Sequence, residues 1–212
     1  MQEKYDKFFF EIYALLVVKN LISQLSSAVK KGESPDWQDN RAGIGLEVTL
    51  AYSQHTGYSL KFAKDYLTLH ENEIPAQKLE NFKGYTEFRD GKLFLVSASD
   101  QTLPGNKHVQ DLLEHLQIKL GKLNSPHFKV FKHNYLFEYS LCVFSENDIL
   151  QFKNKMKEIN KAYSFVFERV FIQTLSEVIC FYENRFLERF VISRQEFEEK
   201  AKEFRDTYYL KM

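Results

Sequence analysis

The run Ser34-Pro35-Asp36-Trp37-Gln38-Asp39-Asn40-Arg41-Ala42-Gly43-Ile44-Gly45-Leu46-Glu47-Val48-Thr49 constrains this chain more than any other. Ile44, Leu46 and Val48 alternate with Gly45, Glu47 and Thr49. That is the period of a strand with one apolar face and one face kept for another purpose. Glu47 is therefore expected to point away from the core. The residues between Gln38 and Gly43 are turn formers, so the chain can fold back and set Asp36 beside Glu47. Two adjacent carboxylates repel, and a cation between them relieves the repulsion.

At 212 residues, with 44% hydrophobic and 16% aromatic content, the chain can bury one sizeable core, which predicts a single domain over residues 1–212. Lys plus Arg equals Asp plus Glu at 29 each. No global field steers such a protein to nucleic acid or to an anionic membrane, so such a partner must be met by a local patch. Cys142 and Cys180 lie in separate apolar runs without ligand spacing and read as free thiols of a reducing compartment. The apolar run from Phe8 to Val18 is interrupted by Glu11 and preceded by Glu3 and Asp6. It is too short to span a bilayer and lacks the basic leader of a signal peptide, so the expectation is a cytoplasmic protein with no membrane partner.

Apolar spacing predicts a first helix from about 3 to 28, ended by Gly32, then the hairpin and strand at 35–50, then a second helical pattern near 57–70. From 71 to 107 the helical period is lost. This stretch reads as an insertion holding a hairpin, with Tyr85–Phe88 and Lys92–Val96 flanking Arg89-Asp90-Gly91. A helix at about 107–123 places His115, Lys119 and Lys122 on one face and stops at Asn124-Ser125-Pro126. A strand is expected at 135–144. Ser145 with Asp148 and Ser193 with Glu196 read as capping boxes opening two further helices, the first running to about 161. Between them, 165–174, 178–182 and 186–192 carry the aromatic and β-branched residues of strands. Strands and helices alternate, so the class is α/β or α+β around a mixed sheet.

A long helix, then Ser34-Pro35-Asp36-Trp37, then Ile44-Gly45-Leu46-Glu47-Val48-Thr49 resembles the core of the PD-(D/E)XK nuclease-like superfamily, the restriction-endonuclease fold. Leu116-Gln117-Ile118-Lys119-Leu120-Gly121-Lys122-Leu123-Asn124, followed by Asn134-Tyr135-Leu136-Phe137, is similar to the next helix and strand of uncharacterised bacterial members. The resemblance covers about residues 3–143. It implies that Asp36 and Glu47 bind a divalent cation, magnesium or manganese, that activates water against a phosphodiester. It implies a nucleic-acid substrate, DNA ahead of RNA, and by analogy a role in bacterial or phage genome defence. A lysine normally stands two positions after the second acid, where this chain has Thr49, which cannot replace an ammonium beside a phosphate. Lys119 or Lys122 is expected to take over, with Lys61 as a further candidate. Glu11, an acid inside an apolar run, is the expected accessory acid, with Glu3 as the alternative.

Each motif also has a plain reading. Pro-Asp is a common turn, an outward Glu in a strand is ordinarily solvated, and Glu11 fits the polar side of an amphipathic helix. Residues 107–133 hold five lysines and four histidines against Asp111 and Glu114, which suits a phosphate-tracking patch or an ordinary wet surface. The histidines show no metal spacing. Two rival readings therefore stand beside the nuclease. One is a catalytically silent protein of the same fold, of binding or immunity type, partnered by a second copy or another protein. The other is an unrelated α+β interaction protein.

Overall fold

The computed structural model describes residues 7–50, 65–66, 69–81, 86–96, 106–140, 144–174, 177–183 and 187–209. The chain divides into two compact units, residues 1–51 with 108–212, and residues 52–107.

The larger unit is a mixed α/β structure. Its elements are α1 (Lys7–Leu21), β1 (Lys30–Lys31), β2 (Trp37–Asp39) and β3 (Ile44–Leu50). In the smaller unit lie a 3₁₀ turn (Glu71–Glu73), α2 (Ala76–Asn81), β4 (Thr86–Arg89) and β5 (Lys92–Val96). The larger unit resumes with α3 (Asn106–Leu123), β6 (His133–Tyr139), α4 (Glu146–Asn160), β7 (Arg169–Gln173), β8 (Glu177–Tyr182), β9 (Leu187–Val191) and α5 (Arg194–Tyr209). Its seven strands lie in the order β1-β2-β3-β6-β7-β8-β9. The pairs β3–β6 and β6–β7 are parallel and the other four are antiparallel.

Both faces of the sheet are covered, which explains its apolar strands. Tyr135, Phe137 and Tyr139 of β6 pack with Leu46, Val48, Phe171 and Cys180 against α1 and α5. Leu136, between them in sequence, joins Val170, Ile172, Ile179 and Phe181 under α3 and α4. The alternation puts successive β6 side chains into different cores. Cys180 is a buried free thiol, pushed up to about 12 by burial, whereas Cys142 lies outside the described residues.

Several boundaries differ from the sequence reading for local reasons. The first helix ends at Leu21, well short of 28 and of Gly32. Asp39 Oδ2 accepts the Ser26 N–H at 2.7 Å, drawing that segment to the β2–β3 turn, and the two-residue β1 follows. The expected strand from 165 begins only at Arg169, because Asn124 holds Phe165 outside the sheet through its backbone N–H and carbonyl. The Ser145–Asp148 capping box is present, with Ser145 Oγ accepting the Asp148 N–H at 3.2 Å and Asp148 Oδ2 accepting the Ser145 N–H at 2.9 Å.

In the smaller unit, Asp90 and Gly91 have φ of 51° and 72°, the left-handed pair that closes a two-residue hairpin between β4 and β5. Ile74 and Leu93 are buried there against Tyr66, Leu69, Leu79 and Phe88. The short helix α2 lies in the stretch expected to lack helical order. The helix expected near 57–70 falls largely outside the described residues. Among the described residues no helix is long and apolar enough to cross a membrane.

Candidate active site

The β2–β3 hairpin is shaped by its turn residues. Asp39 Oδ1 accepts the N–H groups of Arg41 and Ala42, and these bonds with that of Ser26 outweigh burial and hold its carboxyl below the ordinary range. Gly43 takes φ 69° in the turn. Trp37 then pairs with Leu46. The paired residues end there, with Asp36 in the bend just before β2, and the same register continued by one residue would bring its backbone opposite that of Glu47. Continuing it by two sets Pro35 across from Val48, and a proline has no N–H for the ladder. The backbone of Val48 finds other partners. Its N–H donates to Asp36 Oδ2 at 2.8 Å, and its carbonyl accepts from Lys119 Nζ at 3.3 Å.

Glu47 lies on the face away from α1, as its alternation requires, but that face is not open. Its side chain is 1% exposed, which corrects the expectation of an outward, solvated position. Helix α3 closes over it and brings Lys119 and Lys122 onto Glu47 Oε1 at 2.7 and 2.8 Å. Glu47 Oε2 is buried without a hydrogen-bond partner among the described residues.

Glu11 is also buried, against its plain reading as a wet helix residue. Lys31 Nζ lies 2.7 Å from its Oε2 and Lys7 Nζ 3.3 Å from its Oε1. Lys31 lies 3.5 Å from Asp36 Oδ1 as well, and Lys7 4.0 Å. Trp37 Nε1 donates to the Glu11 carbonyl at 2.7 Å, pinning α1 to β2. Burial raises the pKa of Asp36, helped by Glu11 and opposed by the Val48 N–H, Lys31 and Lys119. For Lys7, burial works downward but the carboxylates of Asp36, Glu11 and Glu47 outweigh it, and its pKa is raised.

The expected site residues Asp36, Glu47, Lys119, Lys122 and Glu11 thus share one linked set of charges. Lys61 and Glu3 lie outside the described residues. Sequence reasoning missed three members. Lys7 and Lys31 carry no motif. Glu138 is a lone acid in the apolar strand Tyr135-Leu136-Phe137-Glu138-Tyr139, the same signal that singled out Glu11. It is fully buried and pairs in register with Thr49, the position that lacks the lysine.

The donors suit a hard divalent cation, since Asp36, Glu47 and the Val48 carbonyl all offer oxygen and Glu47 Oε2 is a buried carboxylate oxygen with no hydrogen-bond donor among the described residues. As the side chains stand, no three His, Cys, Asp or Glu of the described residues are grouped to hold a metal. Ammonium groups take those oxygens instead, and a metal ion would have to displace them.

The basic stretch beyond α3 is partly paired with other elements of the larger unit. Lys129 Nζ donates to Asn40 Oδ1 at 2.6 Å and lies over the Phe131 ring, and His133 Nδ1 is 2.5 Å from Glu168. Burial lowers the pKa of His115. Compared with family models, with curated proteins and with solved structures, the chain matches none.

Proposed function

We propose that this chain is a divalent-metal-dependent nuclease of the restriction-endonuclease-like fold. Asp36, Glu47 and the Val48 carbonyl hold magnesium or manganese, and DNA is the substrate ahead of RNA, in the cytoplasm. The observation that carries the reading is Lys119 Nζ within reach of both Glu47 Oε1 and the Val48 carbonyl. From α3 it supplies the ammonium that Thr49 does not. The order of one helix, three antiparallel strands, a helix and a parallel strand supports the same assignment.

The bound cation supplies polarisation of the phosphoryl oxygen and a more acidic water. Lys119 or Lys122 meets the phosphate charge, while Glu11 holds Lys31 beside Asp36. The reading is tested with single- and double-stranded DNA and RNA under magnesium and manganese, alongside manganese binding by electron paramagnetic resonance. Lys119→Met is expected to lose cleavage and keep manganese binding. Asp36→Asn is expected to lose both.

Two ammoniums on one oxygen of Glu47, together with Thr49, favour a second reading. Here lysines neutralise the acids permanently, and the protein binds a partner, a second copy or another protein, without chemistry. Purified protein that binds no manganese and cleaves none of the four substrates decides for this reading.

A further inference from the structure

Glu138 is the single acid of β6 and the register partner of Thr49 on β3. Its side chain has no exposure, and neither carboxyl oxygen has a hydrogen-bond partner among the described residues. Leaving a buried polar group unpaired is costly, so such a group calls for a reason. Burial holds its pKa well above the ordinary value, and the charge acting against that shift is Lys119.

The donors on this side of the sheet are unevenly placed. Lys119 and Lys122 both serve Glu47 Oε1, whereas Glu47 Oε2 and both oxygens of Glu138 receive no hydrogen bond from the described residues. Lys122 alone can keep Glu47 Oε1 paired if Lys119 leaves. An ammonium has three donors on a flexible stem, so it can change acceptor through rotamer changes.

We infer that Glu138 is a positioning residue, the second station of Lys119, which holds the ammonium beside Thr49 when a divalent cation takes Glu47 and the Val48 carbonyl. The inference rests on the metal-dependent reading above. Charge balances along the way. With Glu47 and the Val48 carbonyl taken up by a cation, Lys119 would lose both acceptors, Glu138 would give its proton to solvent, and the carboxylate formed would pair with Lys119. At that station the ammonium stands at the position where the resemblance expects the missing lysine. The orphaned carboxyl is the counter-charge kept for it.

The test follows the Glu138 carboxyl by ¹³C NMR in glutamate-labelled protein during a magnesium titration, and measures manganese affinity of Glu138→Gln by electron paramagnetic resonance. The Glu138 resonance is expected to move to its ionised position as magnesium saturates in the wild type, and to stay at its protonated position in Lys119→Met. Glu138→Gln is expected to bind manganese about 10- to 100-fold more weakly, the usual effect of removing a group that orients a metal site from behind. A carboxyl that stays protonated throughout, or a Glu138→Gln protein with wild-type manganese affinity, overturns the inference and leaves the metal reading standing. A wild-type protein that binds no manganese overturns both. The NMR arm needs only wild-type protein, so it decides the matter even if Glu138→Gln does not fold.

Discussion

Asp36 Oδ2 accepts the backbone N–H of Val48 at 2.8 Å, at the point where Pro35 ends the pairing of β2 with β3. One carboxylate therefore faces the candidate site and also repairs a gap in the sheet. These two roles separate by substitution.

Asp36→Asn keeps an acceptor oxygen for the Val48 N–H, whereas Asp36→Ala leaves that buried N–H alone. The alanine variant is expected to lose about 1–3 kcal/mol of stability in denaturant unfolding, and the asparagine variant clearly less. Equal losses would show that the Val48 bond contributes little and that the Lys31 contact dominates.

Lys119 and Lys122 are redundant for stability, because both meet the same oxygen of Glu47. Lys119→Met and Lys122→Met are each expected to cost less than half of the double substitution. Removing both leaves a buried carboxylate uncompensated, a loss of about 3–5 kcal/mol. Additive losses in urea unfolding would show that the two lysines act separately.

Glu138 makes stability depend on pH. Its pKa is raised on folding from the ordinary 4.5, so above that value the native state binds more protons than the unfolded state. Stability must then fall as pH rises through the window that opens near 4.5 and continues to the raised native value. Glu138→Gln carries no such proton. It is expected to match the wild type near pH 4 and to become progressively the more stable protein as the pH approaches neutrality, read from melting temperatures across the range. Parallel profiles would mean that Glu138 ionises as readily in the native state as in the unfolded chain.

Much of the chain was legible one element at a time. The Ser145–Asp148 box, the Asp90-Gly91 turn and the period of α3 rest on contacts between residues a few positions apart, and the structure has each of them. Boundaries failed where a distant residue intervened, as when Asp39 captured Ser26 and Asn124 captured Phe165. The site divided in the same way. Asp36 and Glu47 lie on the two arms of a short hairpin whose turn residues can be read directly. Lys31 reaches Glu11 only because β1 adds to the edge of β2 beside α1, and nothing local announces that two-residue strand.

By itself, then, the sequence determined the alternation that turns Glu47 away from α1, the turn that folds β2 back on β3, and the helical face bearing Lys119 and Lys122, because backbone periodicity and turn chemistry act over a few residues. Tertiary structure alone decided that this face is closed, that both lysines converge on one oxygen, and that Glu138 lies buried next to Thr49 without a hydrogen-bond partner among the described residues. Burial and the number of donors around a carboxylate depend on which strand is paired and which helix covers it, and those neighbours come from parts of the chain far apart in sequence.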